Sequence, residues 1–395
     1  LGQNPKTTPK PKRQNPDIMT DKDKASSPLL DHLKRRIAIS GPITVADYMA
    51  EALAHPQWGY YRKQDPFGQA GDFVTAPEIS QMFGELIGLW AAVTWQQMGS
   101  PSRVHLVEMG PGRGTLMADA LRAVRNVPGF ADAVTVRFVE TSPVLRSRQQ
   151  TAIMEYGIPA VWHDNFDDIP DTQNAPMIVI ANEFFDALPV RQFQFGKDGW
   201  RERLVAIASE TDELCFVSGG LAPMTDALVP VTLRGTAKVN DVFETSSLAI
   251  SIADQVARRI NRDGGAALMI DYGHAHSGFG DTLQALRQHK FHPVLSNPGD
   301  ADLTTHVDFG ALSRTFEQAD ARTGAVLGQG TFLKMLGIDA RAELLKQSAT
   351  PDQAIAIDAA LKRLVDADQM GTLFKVLIAY GRETAPPPCV SGVEG

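Results

Sequence analysis

No segment restricts what this chain can fold into more than Val104-His105-Leu106-Val107-Glu108-Met109-Gly110-Pro111-Gly112-Arg113-Gly114, which is followed by apolar residues at helical spacing. A strand that feeds a glycine-rich turn at a helix start lets backbone approach a nucleotide-like ligand closely, as in doubly wound α/β sheets. Around it the chain alternates. Residues 104–108, 134–140 and 177–181 read as strands, and 115–124 and 143–156 as helices. Near-continuous apolar strands alternating with helices predict a mostly parallel, doubly wound sheet covered on both faces.

The flanks read differently. Residues 1–27, rich in Pro, Lys, Thr and Asp and without an apolar stretch, read as a disordered tail. Residues 28–100 read as a helical N-terminal segment, with Pro77 in the first turn of a helix near Thr75. The core occupies 101–195 and resumes over 246–383 with additional helices. Between them the pattern turns to period two on either side of Gly196-Lys197-Asp198-Gly199, a hairpin signal that opens a β-rich insertion over 196–245. Strands are expected at 331–336 and 374–380, a helix at 351–366, and a loose tail at 384–395.

Composition excludes several classes. With 38 basic and 46 acidic residues the net charge is −8, and six basic and three acidic residues stand in the first 24, so the remainder is still more acidic. Such a body lacks the electrostatic footprint of a nucleic-acid binder. Two distant cysteines, Cys215 and Cys389, give neither a disulfide framework nor a zinc motif. No apolar run approaches the roughly 20 residues of a membrane span. His274 and His276 near Asp271 lack a third well-spaced ligand, so no metal is expected.

The glycine spacing narrows the ligand. A dinucleotide fingerprint, G-x-G-x-x-G, requires glycine at 115, where Thr115 stands; the third glycine is Gly114. Glu108, two residues before Gly110, would repel a pyrophosphate and attract an ammonium. E-x-G-x-G-x-G resembles motif I of the class I S-adenosylmethionine-dependent methyltransferases. Glu140, ending the next strand, is placed to accept hydrogen bonds from both ribose hydroxyls. Asp164 and Asn165 stand where related methyltransferases contact the adenine. Asn182, Glu183 and Asp186, at the end of the fourth core strand, are candidates to hold the methyl acceptor.

Four blocks carry a wider resemblance: 71–85, 108–115, 182–190 and 303–309, in the same order over about residues 29–382. They resemble the MidA family, which includes the mitochondrial complex I assembly arginine methyltransferase. The resemblance implies a Rossmann-like class I methyltransferase fold and S-adenosyl-L-methionine as cofactor. It also implies dimethylation of an arginine on the complex I (NADH-quinone oxidoreductase) subunit bordering the quinone site. It assigns cofactor contacts to Glu108, Gly110, Gly112, Gly114 and Glu140, and a lid to Gly71, Asp72, Thr75 and Glu78; the plainer reading of the last two is a capping box. Cytoplasm is the expected compartment, or mitochondrial matrix if the source is eukaryotic.

The chemistry follows from the acceptor. A guanidinium is protonated, with a pKa above about 12, so a site must orient it and localise its charge, which carboxylates do through paired hydrogen bonds. Glu183 is the first candidate, Asp186 the second, and His306 could take up the released proton. A methyltransferase with another acceptor and a non-catalytic assembly factor are the alternatives; the glycine spacing disfavours a dehydrogenase.

Overall fold

A computed structural model describes residues 27–63, 75–171 and 175–390. Among the described residues the expected alternation forms a nine-stranded central sheet, whose continuous path comprises β1 (Val104–Met109), β2 (Val134–Val139), β3 (Ala160–His163), β4 (Met177–Asn182), β5 (Gly265–His274), β6 (Arg322–Thr323) and β7 (Phe374–Tyr380), with Val307–Asp308 paired to β5 and Leu327–Gly328 to β7 beside it. Their spatial order is 3-2-1-4-5-7-6. Strands β1 to β5 are parallel, and β7 runs antiparallel to both β5 and β6. The order reverses between β1 and β4, which is where doubly wound sheets open a ligand crevice.

Every residue of β1 and β4 is buried, because both faces of the sheet are covered. Side chains alternate between faces. Leu106, Ile180 and Leu268 join one core with α3 (Gln81–Gln97) and α4 (Thr115–Val124). Val107, Val179 and Met269 join the other with α6 (Ser247–Asp263) and α7 (Phe309–Gln318). Between these lies α5 (Pro143–Ile153), whose Ser142 cap and first-turn Pro143 start it directly after β2.

A second sheet stands beside this body. Arg191–Gly196, Gly199–Ile207, Leu214–Leu221 and Val242–Thr245 form it, with the hairpin turn at the expected place. The N-terminal segment supplies Ile43–Thr44 as an edge, Ile43 opposite Val205. Helices α1 (Pro28–Ser40) and α2 (Val45–Ala54) pack Leu33 and Tyr48 against Val205 and Leu303, so the N-terminal helices and the insertion share one core.

Three expectations are corrected. Residues 331–336 are not a strand: Gln329–Met335 is a helix that buries the adjacent Phe332 and Leu333. The helix at Pro77 is broken at Ser80, whose extended backbone ends Ala76–Ile79 and whose Oγ caps α3. Residues 384–390 are held rather than loose, since Trp90 Nε1 donates to the Pro388 carbonyl at 3.1 Å and Val390 packs on the core. Residues 1–26 and 391–395 lie outside the described residues.

Candidate active site

The carboxyl ends of β1 and β4 open a cleft lined by Thr75, Glu78, Glu108, Gly110, Gly112, Asn182 and Glu183, so the fold gathers residues from three of the sequence blocks. Gly110, Gly112 and Gly114 all adopt positive φ (61°, 53° and 84°). At Gly110 this freedom is compulsory: a Cβ would lie 2.8 Å from the Phe184 ring, which packs on the loop. Glu108 is 3% exposed, and burial pushes its carboxyl up to about 8. Its Oε2 and the Oδ1 of Asn182 are buried without a hydrogen-bond partner. Two orphan acceptors in one cleft fit a ligand that brings N–H donors and positive charge.

Glu140 follows β2. Its Oε1 accepts from the Ser142 amide at 2.7 Å and its Oε2 from Gln149 Nε2 at 3.3 Å; burial raises its pKa. Gln149, which no sequence motif marks, also donates to the Gly112 carbonyl at 2.7 Å and accepts from Trp162 at 2.8 Å. It ties the glycine loop to the Glu140 edge. Gln149 is fully buried, a property of the fold that no pattern in its weakly amphipathic helix announces.

Other candidates stand elsewhere. Asp164 is exposed and pairs at 2.7 Å with Arg146, whose Nε also donates to the Glu140 carbonyl at 2.7 Å; Asn165 caps a short turn through Asp168, and neither these two nor Glu140 borders the small cleft itself. Thr75 makes no side-chain cap, so the capping box does not form. Glu78 faces the loop instead, 3.5 Å from Thr115 Oγ1 and 3.6 Å from Arg113. Gly71 and Asp72 lie outside the described residues.

After β4 the chain turns sharply at Glu183, whose φ of 49° is left-handed. Its Oε1 accepts from the Ala76 amide at 2.9 Å and from Asn182 Nδ2 at 3.3 Å, and burial raises it to about 7. The turn is organised by Asp271 of β5. Its Oδ2 accepts from the amides of Phe184, Phe185 and Asp186 at 3.2, 3.0 and 3.2 Å, and its Oδ1 from the Tyr272 amide at 2.9 Å. Tyr272 in turn donates its hydroxyl to Asp186 Oδ2 at 2.9 Å. Asp186 Oδ1 is left buried and unpartnered, and burial raises this carboxyl too. A carboxylate inside the apolar run Leu268-Met269-Ile270-Asp271 was the legible sign of such a role.

Asp271 thus spends both oxygens on backbone amides. Among the described residues the one group of metal-ligating type is His32, Glu51 and His55. There His55 Nδ1 accepts from the Gln57 and Trp58 amides, and Glu51 pairs with Arg36 at 2.9 Å. The Arg36–Glu51 pair ties α1 to α2. His306 lies outside the cleft. It borders a second cavity of about 620 Å³ between the small sheet and the body, its ring edge-on to Tyr272 and its pKa lowered by burial.

Sheet order, glycine loop and paired acids together define a class I S-adenosyl-L-methionine-dependent methyltransferase. Comparison with known proteins agrees: residues 86–326 match the model of a family described as S-adenosyl-L-methionine-dependent methyltransferases, and the chain belongs to it. A Xenopus laevis protein named protein arginine methyltransferase NDUFAF7, mitochondrial, is 40% identical, over 89% of this chain and 84% of its own. Its Drosophila melanogaster homologue is 37% identical, over 94% and 90%. A COG1565 superfamily protein of Burkholderia thailandensis, solved with S-adenosyl-homocysteine, superposes with a TM-score of 0.78 at 28% identity, covering 91% of this chain and 93% of that one. S-adenosyl-L-methionine is accordingly the cofactor of this enzyme. Among the described residues no helix is long and apolar enough to cross a membrane.

Proposed function

We propose that this methyltransferase acts on the guanidinium of a protein arginine, in a subunit of NADH-quinone oxidoreductase during assembly, at the subunit that borders the quinone site. The observation that carries the acceptor class is the buried acid cluster at the turn. Glu183, Asp186 and Asp271 gather there, and among the described residues no lysine or arginine is ion-paired with any of them, while Asp186 Oδ1 has no partner. A buried carboxylate without a counter-charge is costly, and an incoming cation removes that cost. The relatives' names, which specify arginine methylation, support the same reading.

The cofactor supplies an electrophilic methyl group on a sulfonium. Glu108 and the loop Gly110–Gly114 would hold its amino-acid end, and Glu140 its ribose. On the acceptor side, Glu183 and Asp186 orient the guanidinium and draw its charge to the nitrogens they face. Glu183, poised at about 7, can hold at an Oε atom the proton that the acceptor gives up. Phe184 and Phe185, stacked edge-to-face at 5.3 Å, wall the turn from water. Alignment of this kind is worth up to roughly 7–11 kcal/mol of a displacement barrier. The reaction belongs wherever the respiratory enzyme is assembled: bacterial cytoplasm or mitochondrial matrix.

The test is transfer of labelled methyl from S-adenosyl-L-methionine to an extract of cells lacking this protein, with the modified residue identified by mass spectrometry. Dimethylarginine on one respiratory subunit is the expected result. Label confined to another residue type, or to small molecules, overturns the proposal.

A further inference from the structure

We infer that the 620 Å³ cavity between the small sheet and the body seats the polypeptide that carries the target arginine. The inference rests on the proposed protein acceptor and adds where that protein docks. Its volume falls within the roughly 300–1,000 Å³ of ligand-binding cavities, and its place, between two layers of one molecule, is where such sites concentrate.

Continuity with the acceptor turn identifies the occupant. Glu183 borders the cofactor cleft, and Phe185, two residues on, borders the cavity. Consecutive Cα atoms are about 3.8 Å apart, so the Cα atoms of Glu183 and Phe185 stand less than about 8 Å apart and one short turn contributes to both walls. Thr305, also on the cavity wall, donates its amide to the Asp186 carbonyl at 2.9 Å. A chain lying in the cavity therefore rests against the back of the turn that holds the acceptor carboxylates. The wall mixes apolar side chains with polar ones such as His306, as a peptide with its own backbone polar groups requires.

The mouth has the character of a protein-contact surface. Leu228 borders the cavity and is 53% exposed; Met224 and Val231, within the same eight residues, are 76% and 75% exposed. Clustered exposed apolar side chains of this size mark interaction sites. A segment that contains an arginine is locally basic, and the net charge of −8 on this chain draws it in. A second copy of this chain or a free small molecule is the competing occupant.

Two substitutions in the full-length chain test this without touching the cofactor cleft: Leu228→Asp at the mouth and Ala311→Trp, which fills the interior from the first turn of α7. Labelled methyl transfer to the extract described above is compared with cofactor affinity by calorimetry, melting temperature and sedimentation. The expected result is at least a tenfold loss of protein labelling in both variants, with cofactor affinity within twofold and melting temperature unchanged. Wild-type labelling in both variants overturns the inference. So does a change of oligomeric state with labelling intact, which identifies a self-interface, and so does a loss confined to a small-molecule product. If the wild type labels a residue other than arginine and both variants lose that label, the docking site stands and the arginine reading falls. If the wild type labels no protein, both fall.

Discussion

Glu183 is a carboxylate placed by a costly backbone. A non-glycine residue at φ 49° stores about 1–3 kcal/mol, which persists only where neighbours over-determine the turn. Three consecutive amides converging on Asp271 Oδ2 do so. Two substitutions separate the roles. Glu183→Gln keeps the turn and removes the charge that orients a guanidinium; methyl transfer should fall on the order of 10²-fold, with cofactor affinity by calorimetry within about threefold. Equal transfer rates would remove Glu183 from the mechanism. Asp271→Asn weakens charge-assisted bonds to the turn, so the rate constant at saturating acceptor should fall by at least about tenfold while cofactor affinity holds. Loss of cofactor binding in that variant would mean that Asp271 supports the whole cleft rather than the acceptor turn.

At the scale of elements, what was legible depended on whether a local pattern had one physical meaning. The loop after β1 was legible because glycine spacing and a carboxylate at a strand end leave few alternatives. The hairpin at 196–199 was legible because period two and turn residues agree. Residues 331–336 were not, since Phe332-Leu333 in a short apolar run suits strand and helix equally, and the helix is selected by the core it packs on. Asp271 stood out as a carboxylate in an apolar strand, but the amides it holds, about 85 residues away, did not, and neither did the tie from Gln149 to the Gly112 carbonyl 37 residues away. Contact between α3 and α4, the helix into which the glycine loop leads, was equally invisible. A Cβ at Gly88 would lie 2.6 Å from both Cα and O of Ala120, so the two helices touch backbone to backbone. Gly88→Val should cost about 1–3 kcal/mol by overpacking, read as a lower melting temperature. Because Gly114 is the N-cap of α4, cofactor affinity should fall with it; a destabilised protein with unchanged affinity would show that the loop is positioned independently of the helix.

Over the whole molecule, the buried acids of the site set how stability and ligand binding respond to pH. Glu108, raised from 4.5 to about 8, and Glu183, raised to about 7, both bind protons more tightly folded than unfolded. Their contribution to stability is complete below about 4.5 and is lost as pH rises through the folded values. His105, lowered to about 4 by burial and then by the neighbouring Arg137, acts in the opposite sense, chiefly between about 4 and 6.5. Above 6.5 the opposing effect of His105, and of His163 and His306, whose pKa values are also lowered by burial, fades and the carboxylates dominate the slope, so the cofactor-free protein should melt at lower temperature at pH 7.5 than at 6.5. Cofactor binding reverses the effect at Glu108: a cation favours the ionised carboxyl, a proton is released, and affinity rises with pH. The window closes near 7.5, because the α-amino group of the cofactor loses its own proton at about 7.7–8.0. Saturating S-adenosyl-L-methionine should therefore raise the melting temperature more at pH 7.5 than at 6.5. Calorimetry in buffers of different ionisation enthalpy should detect the proton released, and Glu108→Gln should abolish both. A gain in melting temperature that does not change with pH would show that Glu108 is ionised before the cofactor arrives, and the cleft would then be an anionic site from the start rather than one charged by its ligand.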